Sequence, residues 1–427
     1  MKIDMNAKLK ASGMRSEHLL DQFLKAGYNP SRMADSEDIH GSEYPCIERS
    51  LLFPPEFIYG LTTRDGSDVI PFTSDIAVAS TTLYNGRLIR EAMKKAALKE
   101  YKQSCSFQVA AVGLTLMGRY PKPAATCYVN EPCMSSLETF RTIAREQGTP
   151  FHELDVPRIY NKEAAIYVEK RLAEIAREIE RETSGNIKMD FDKLDQAIEH
   201  SNQARENFIG AFEQMKGPGR LMKGFENASY ALFCSQGFGS PEFVEIARTM
   251  KEELTERRTY LDQHPQEDEK PRIMLVHFPP YSNHKIMKEI DDRGDVVNAE
   301  VNVIWWDPIE YPGLRGLAYK MGALKKEGWS IENRSKNLHL PTIIDYDIDG
   351  VILFQHMFGG ICPMATEPYN LELQHCLEEA GKKRGREVKY LRLPLDVIQG
   401  SNTPANTETL IDTFFEKINL EKTGLPL

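Results

Sequence analysis

The sequence predicts an α/β protein built from two doubly wound, flavodoxin- or Rossmann-like domains joined by a helical segment, with a ligand cleft between them. Three observations carry this expectation. Short apolar strand signals alternate with helical stretches from Cys46 to Val156 and again from Arg272 to Leu395. Residues 162–216 between them are charged and helical, with Ile166, Val168, Leu172, Ile175 and Ile179 at helical spacing. The order strand, cysteine loop, helix, strand, Leu-Asp-Val also occurs twice, once around Cys133 and once around Cys362. The expected division is an N-terminal helical arm at 1–45 and a first α/β domain at 46–160 that holds Cys105 and Cys133. A helical segment and linker follow at 161–268, then a second α/β domain at 269–427 that holds Cys362.

A chain of 427 residues is long enough to bury large cores without a disulfide or metal staple. Its 41% hydrophobic and 27% charged residues are ordinary for a globular protein and exclude a disordered or collagenous chain. With 53 Lys and Arg against 63 Asp and Glu the net charge is −10, which argues against a general nucleic-acid binder. The start, Met1-Lys2-Ile3-Asp4-Met5-Asn6, has no apolar core of a signal peptide. The longest apolar run, Val109–Met117, is about half of what a bilayer needs. A cytoplasmic protein with no membrane partner is expected, and its seven cysteines are then free thiols, metal ligands or redox groups, not a disulfide framework.

Taken in order, a helix is expected at Ser16–Lys25. From Cys46 the run Ile47–Phe53 leads into Pro54-Pro55-Glu56-Phe57, where two prolines fix the backbone and leave Glu56 to start a helix. Helices follow at Leu88–Tyr101 and Phe107–Met117, then a strand at Ala124–Val129. Ser135-Ser136-Leu137-Glu138 reads as a capping box for a helix to about Glu146, and Phe151–Val156 is a strand. Gly217-Pro218-Gly219 ends the long helical region. Ser240-Pro241-Glu242 supplies N-cap, first-turn proline and first-turn acid for a helix to about Arg258. Asp262–Lys270 reads as a linker. The second unit has strands at Arg272–His277, Gly350–Phe354 and Val388–Leu393, with helices at Glu367–Gly381 and Glu408–Ile418.

Cys127 and Cys376 lie in apolar strand and helix contexts and are expected to be small buried hydrophobes, as is Cys234. Cys105, Cys133 and Cys362 each precede a helix. Helix N-termini present N–H groups that stabilise thiolates, which iron–sulfur clusters require. Spacing alone leaves these three either ligands or plain loop cysteines, because no Cys-x-x-Cys is present. His277, His284 and His356 read as structural, His356 being closest in sequence to Cys362. There is no GxGxxG, Walker A or usable GxSxG motif. Gly237-Phe238-Gly239-Ser240 fits a phosphate loop less well than a helix–helix turn.

Several segments together resemble a known family. These are Phe53-Pro54-Pro55-Glu56-Phe57, Ser104-Cys105-Ser106-Phe107, Cys127-Tyr128-Val129-Asn130-Glu131-Pro132-Cys133 and Leu154-Asp155-Val156-Pro157-Arg158. Asp349-Gly350-Val351-Ile352 before Cys362 and the closing Leu393-Pro394-Leu395-Asp396 complete the set. They are similar to the iron–sulfur subunits of 2-hydroxyacyl-CoA dehydratases and benzoyl-CoA reductases over roughly residues 40–420, in the length range of the larger subunit. The resemblance implies a [4Fe–4S] cluster held by Cys105, Cys133 and Cys362. It implies a smaller homologous subunit in a heterodimer, an ATP-dependent activator protein and an acyl-CoA substrate. By the same resemblance Ser50 and Glu56 are catalytic candidates that hydrogen-bond the substrate hydroxyl or thioester oxygen; the alternative for them is a turn residue and a helix-start acid. Cys46 is either a fourth ligand or a bystander.

Such a ligand set suits the reaction. Three thiolates leave one iron open to act as Lewis acid and electron donor. Loss of a 2-hydroxyl from an acyl-CoA requires removal of a weakly acidic β-proton, and one-electron reduction of the thioester to a ketyl radical makes that proton far more acidic. The expected activity is therefore an oxygen-sensitive hydro-lyase that converts an (R)-2-hydroxyacyl-CoA to an enoyl-CoA. A benzoyl-CoA-reductase-like or double-cubane reductase subunit and an electron-relay or scaffold subunit remain the alternatives.

Overall fold

A computed structural model describes residues 14–27, 45–101, 105–130, 136–265, 270–280, 284–300, 307–324, 331–356, 366–395, 398 and 406–423. In chain order the first half comprises α1 (Arg15–Gly27), β1 (Cys46–Arg49), α2 (Pro55–Tyr59), β2 (Leu61–Thr63), β3 (Ile70–Phe72), α3 (Ser74–Tyr84), α4 (Gly86–Leu98), α5 (Ser106–Leu116), β4 (Thr126–Val129), α6 (Ser136–Gln147) and β5 (Phe151–Leu154). The middle comprises α7 (Lys162–Glu182), β6 (Ile187–Met189), α8 (Phe191–Glu213), α9 (Gly224–Gly237) and α10 (Pro241–Gln263). The second half comprises β7 (Arg272–Val276), α11 (His284–Arg293), β8 (Asp295–Ala299), α12 (Gly313–Leu324), α13 (Ile331–Arg334), a π-helical turn at Ser335–His339, α14 (Leu340–Asp345), β9 (Gly350–His356), α15 (Glu367–Arg384), β10 (Lys389–Leu395) and α16 (Thr407–Thr423).

Two four-stranded sheets form, in the orders β3-β1-β4-β5 and β10-β9-β7-β8, and every pairing in them is parallel. Counted in chain order within its own sheet, each reads 2-1-3-4. The repeated order of elements in the sequence is thus a repeated topology. The strands are buried, as parallel strands covered on both faces must be: β1 and β4 have no exposed residue, and Ile273 to Val276 of β7 are all enclosed.

The helices end where local chemistry ends them. Asn161 accepts the Ala164 N–H and Asp190 accepts the N–H groups of Asp192 and Lys193, capping α7 and α8. Ser240 caps α10 through the Phe243 N–H, with Pro241 in the first turn. The α9–α10 connection is a helix–helix turn in which Gly239 takes φ +99°, a backbone angle open chiefly to glycine. α5 is apolar all round and is packed against α3, α4 and α6.

Three differences from the sequence reading have plain causes. The region 162–216 is not continuously helical: the chain turns through Ser184 at φ +52° into β6, which pairs antiparallel with β2. A three-residue strand is too short to leave a periodic signal, and β2 and β3 escape the sequence for the same reason. The helix after the double proline starts on Pro55 itself, whose ring occupies a position that needs no N–H. The helix from Pro241 runs on to Gln263, into the stretch expected to be linker.

Candidate active site

In a 2-1-3-4 sheet the connections leave strands 1 and 3 in opposite directions, and ligands bind beyond their carboxyl ends. In the first sheet these are β1 and β4, followed by Ser50 and, further along the chain, Cys133. In the second they are β7 and β9, followed by His277 and, further along, Cys362. Cys133 and Cys362 therefore follow equivalent strands; both lie outside the described residues, as does the side chain of His356.

At the first edge Ser50 joins the two strands. Its N–H donates to the Cys127 carbonyl (2.9 Å), and the Val129 N–H donates to Ser50 Oγ (3.0 Å). That uses the hydroxyl as acceptor and leaves its proton to donate. Arg49 is fully buried, and its Nη1 donates to the carbonyls of Ser50, Leu51 and Phe53 at 3.2, 2.7 and 2.9 Å. One guanidinium thus fixes the turn into the double proline, and the Phe53 and Phe57 rings meet edge-on at 5.4 Å across it.

Glu56 is in the first turn of α2 and is fully buried. Ser201 Oγ on α8 donates to its Oε1 (2.6 Å), and Lys320 Nζ on α12 donates to the same atom (2.5 Å). Burial pushes the Lys320 ammonium down, and the Glu56 carboxylate opposes that.

Cys105 is the N-cap of α5, half-buried with extended backbone at φ −65° and ψ 156°. α5 leads back to the start of β4, so its N-terminus lies on the side of the carboxyl edge. Consistent with this, Phe107 in its first turn meets Phe278, just past β7, with ring centroids 5.8 Å apart. Cys105 thus heads a helix, whose N-terminal end carries a partial positive charge, although its sulfur makes no capping hydrogen bond.

Asn130 joins two of the motifs. Its Oδ1 accepts the Val156 N–H (2.9 Å) and its amide contacts Asp155, tying the end of β4 to the Leu-Asp-Val corner after β5.

At the second edge His277 has φ +69°, unusual for a non-glycine residue. Its N–H donates to Glu300 Oε2 (3.1 Å), and its Nδ1 lies 3.2 Å from the Phe354 carbonyl of β9. A carbonyl only accepts, so Nδ1 carries the proton. Burial pushes this ring down to about 4, which leaves it neutral at pH 7. The Glu300 carboxylate, fully buried, also takes His339 Nε2 (2.6 Å) and the Arg334 guanidinium. Burial pushes Glu300 up, but Arg334 and His339 outweigh it and hold the carboxyl well below the usual range.

The remaining cysteines separate by position. Cys127 and Cys376 are buried free thiols, pushed up by burial. Cys234 lies in α9, its side chain outside the described residues. Cys46 is buried at the amino end of β1, opposite Ile70, at the far end of the strand from Ser50. Four residues of strand at about 3.3 Å each put roughly 13 Å between it and the carboxyl edge, which suits a bystander and not a fourth ligand. Among the described residues no three His, Cys, Asp or Glu side chains converge as a metal site. Of the three cysteines the sequence singles out as ligands, the structure thus describes Cys105, at the head of α5. Ser50 and Glu56 are placed one at the end of β1 and one on the helix that follows it. Sequence reasoning missed Lys320, Arg49 and Glu300, each an ordinary polar residue in its own segment with no local pattern to mark it, and gave no role to Asn130 although it lies inside a quoted motif.

Comparison with protein families matches residues 69–418 to the family described as 2-hydroxyglutaryl-CoA dehydratase, D-component. The matched span includes Cys105, Cys133 and Cys362 and begins after Ser50 and Glu56. Comparison with curated proteins finds no match. No helix among the described residues is long and apolar enough to cross a membrane.

Proposed function

Because the chain belongs to the 2-hydroxyglutaryl-CoA dehydratase D-component family, we propose that it is the larger subunit of a cytoplasmic, oxygen-sensitive (R)-2-hydroxyacyl-CoA dehydratase. Its partners in this reading are a smaller homologous subunit, an ATP-dependent activator and the acyl-CoA. The observation that supports the reading is the repeated 2-1-3-4 sheet: in the sequence Ser50 and Cys133 follow the two central strands of the first sheet, and Cys362 follows the equivalent strand of the second. Ligand sites of doubly wound sheets form at such edges, here across a cleft between the two domains.

In this reading Cys105, Cys133 and Cys362 would hold a [4Fe–4S] cluster, which when bound would supply the low-potential one-electron chemistry that makes the β-proton of the acyl-CoA acidic. The chain's own residues bind and orient. Ser50, with its oxygen held by the Val129 N–H, turns its proton toward an acceptor such as the thioester oxygen. Glu56, held through one oxygen, accepts from the substrate hydroxyl with the other. Arg49 keeps the turn between them rigid.

Anaerobic iron and sulfide analysis of Cys105→Ser, Cys133→Ser and Cys362→Ser tests the ligand set. Each variant is expected to lose most of its iron, while Cys46→Ser keeps it. A variant with wild-type iron removes that cysteine from the set. Electron counting then separates the activities: a dehydratase turns over many times per electron, whereas a reductase consumes electrons at every turnover.

A further inference from the structure

Three parts of the chain meet at Glu56: α2 from the first half, Ser201 on α8 from the middle and Lys320 on α12 from the second half. The Glu56 and Lys320 side chains are 0% and 5% exposed, so the ion pair is removed from water. Taking two charges out of water costs several kcal/mol each and is recovered only when every remaining polar position is filled. Here it is not. Both donors fall on Oε1, while Oε2 is buried with no hydrogen-bond partner among the described residues. A buried carboxylate oxygen without a donor is rare, and a missing ligand is one of its few explanations. Lys320 has a second contact, lying 5.6 Å over the Phe238 ring. The carboxylate stands on the helix that follows β1, the strand bordering the ligand edge of the first sheet.

We propose that Lys320 is a positioning residue of the active site: with Ser201 it occupies Glu56 Oε1, fixes the orientation of the carboxylate, and leaves Oε2 as the acceptor for the hydroxyl of a 2-hydroxyacyl thioester. This rests on the reading of Glu56 given above and adds the residues that control it. With both donors on one oxygen the carboxylate is held in a single orientation, so the other oxygen stays where one incoming hydroxyl can meet it.

The test compares Lys320→Met, Lys320→Arg, Ser201→Ala and Glu56→Gln. In the iron-free protein the Glu56 carboxylate stretch, assigned by its loss in Glu56→Gln, is expected to shift in Lys320→Met and to keep its wild-type position in Lys320→Arg. In the complete enzyme, with both subunits, activator and acyl-CoA, kcat of Lys320→Met falls about tenfold or more with KM little changed. Lys320→Arg retains most of the wild-type kcat. Ser201→Ala lowers kcat in the same direction by less, and serves if Lys320→Met does not fold. Wild-type kcat in Lys320→Met, beside an inactive Glu56→Gln, overturns the proposal alone. Wild-type turnover in Glu56→Gln overturns the role of Glu56 and the proposal with it.

Discussion

Replacing Glu300 by Gln probes what holds the second ligand edge together. The carboxylate receives the His277 N–H at 3.1 Å, His339 Nε2 at 2.6 Å and the Arg334 guanidinium, and its side chain and those of His339 and Arg334 are 0%, 0% and 13% exposed. The Gln side chain keeps the shape but not the charge, and takes a carboxylate away from the buried Arg334 guanidinium. Breaking one partner of such a buried pair costs about 3–5 kcal/mol, and we take the lower end, about 3, because the Gln side chain keeps the shape of the site. A chain this size need not unfold in one step, so the loss is best read locally. Amide hydrogen exchange of β7 and β9 should accelerate about a hundredfold, while β1 and β4 in the other sheet keep wild-type protection. The pH dependence has a definite sign. A carboxyl held below its ordinary value of 4.5 contributes stability that is present above that pH and is lost as pH falls through the folded value. Wild-type β7 protection should therefore weaken below about pH 4.5 beyond what Glu300→Gln shows. Unchanged exchange in β7 and β9 of the variant would refute the claim that this carboxylate organises the edge.

Two further outcomes follow from the first sheet. Glu48 on β1 is fully buried, and burial pushes it up to about 8 against the hydrogen bond that Thr126 Oγ1 donates to its Oε2 (3.1 Å). The folded state then binds the extra proton, so stability falls as pH rises from 4.5 to about 8. Glu48→Gln should remove that slope and gain about 3 kcal/mol at pH 7 by urea unfolding. An unchanged slope in the variant assigns it to another group. Gly113 lets α5 lie against α4, because a Cβ there would come within 1.9 Å of the Ala92 carbonyl oxygen. Gly113→Ala should cost about 3 kcal/mol or more and displace Cys105 at the head of α5, read as a lowered melting temperature. Wild-type stability would mean that the two helices separate without cost.

The division between what was legible in the sequence and what was not follows the range of the forces. Helix starts marked by Ser240-Pro241 and Pro54-Pro55, the apolar α5 and the buried strands could be read locally, because capping and periodicity act over a few residues. The repeated strand–cysteine–helix order pointed to two like domains for the same reason. Short strands such as β2, β3 and β6 could not be read, since three residues carry no period and their pairing comes from elsewhere in the chain.

By itself the sequence determined that this is an α/β chain with two like halves, that Cys105 heads a helix and where a Pro-Pro-Glu turn begins. Strand order, and with it the ligand edges, was decided only when the sheets assembled. So was the partner of Glu56, a lysine 264 residues away in a helix with no distinguishing pattern. The physical reason is that caps and periodicity are nearest-neighbour effects, whereas a buried charge can be held only by whichever distant side chain the packed layers bring within hydrogen-bond reach.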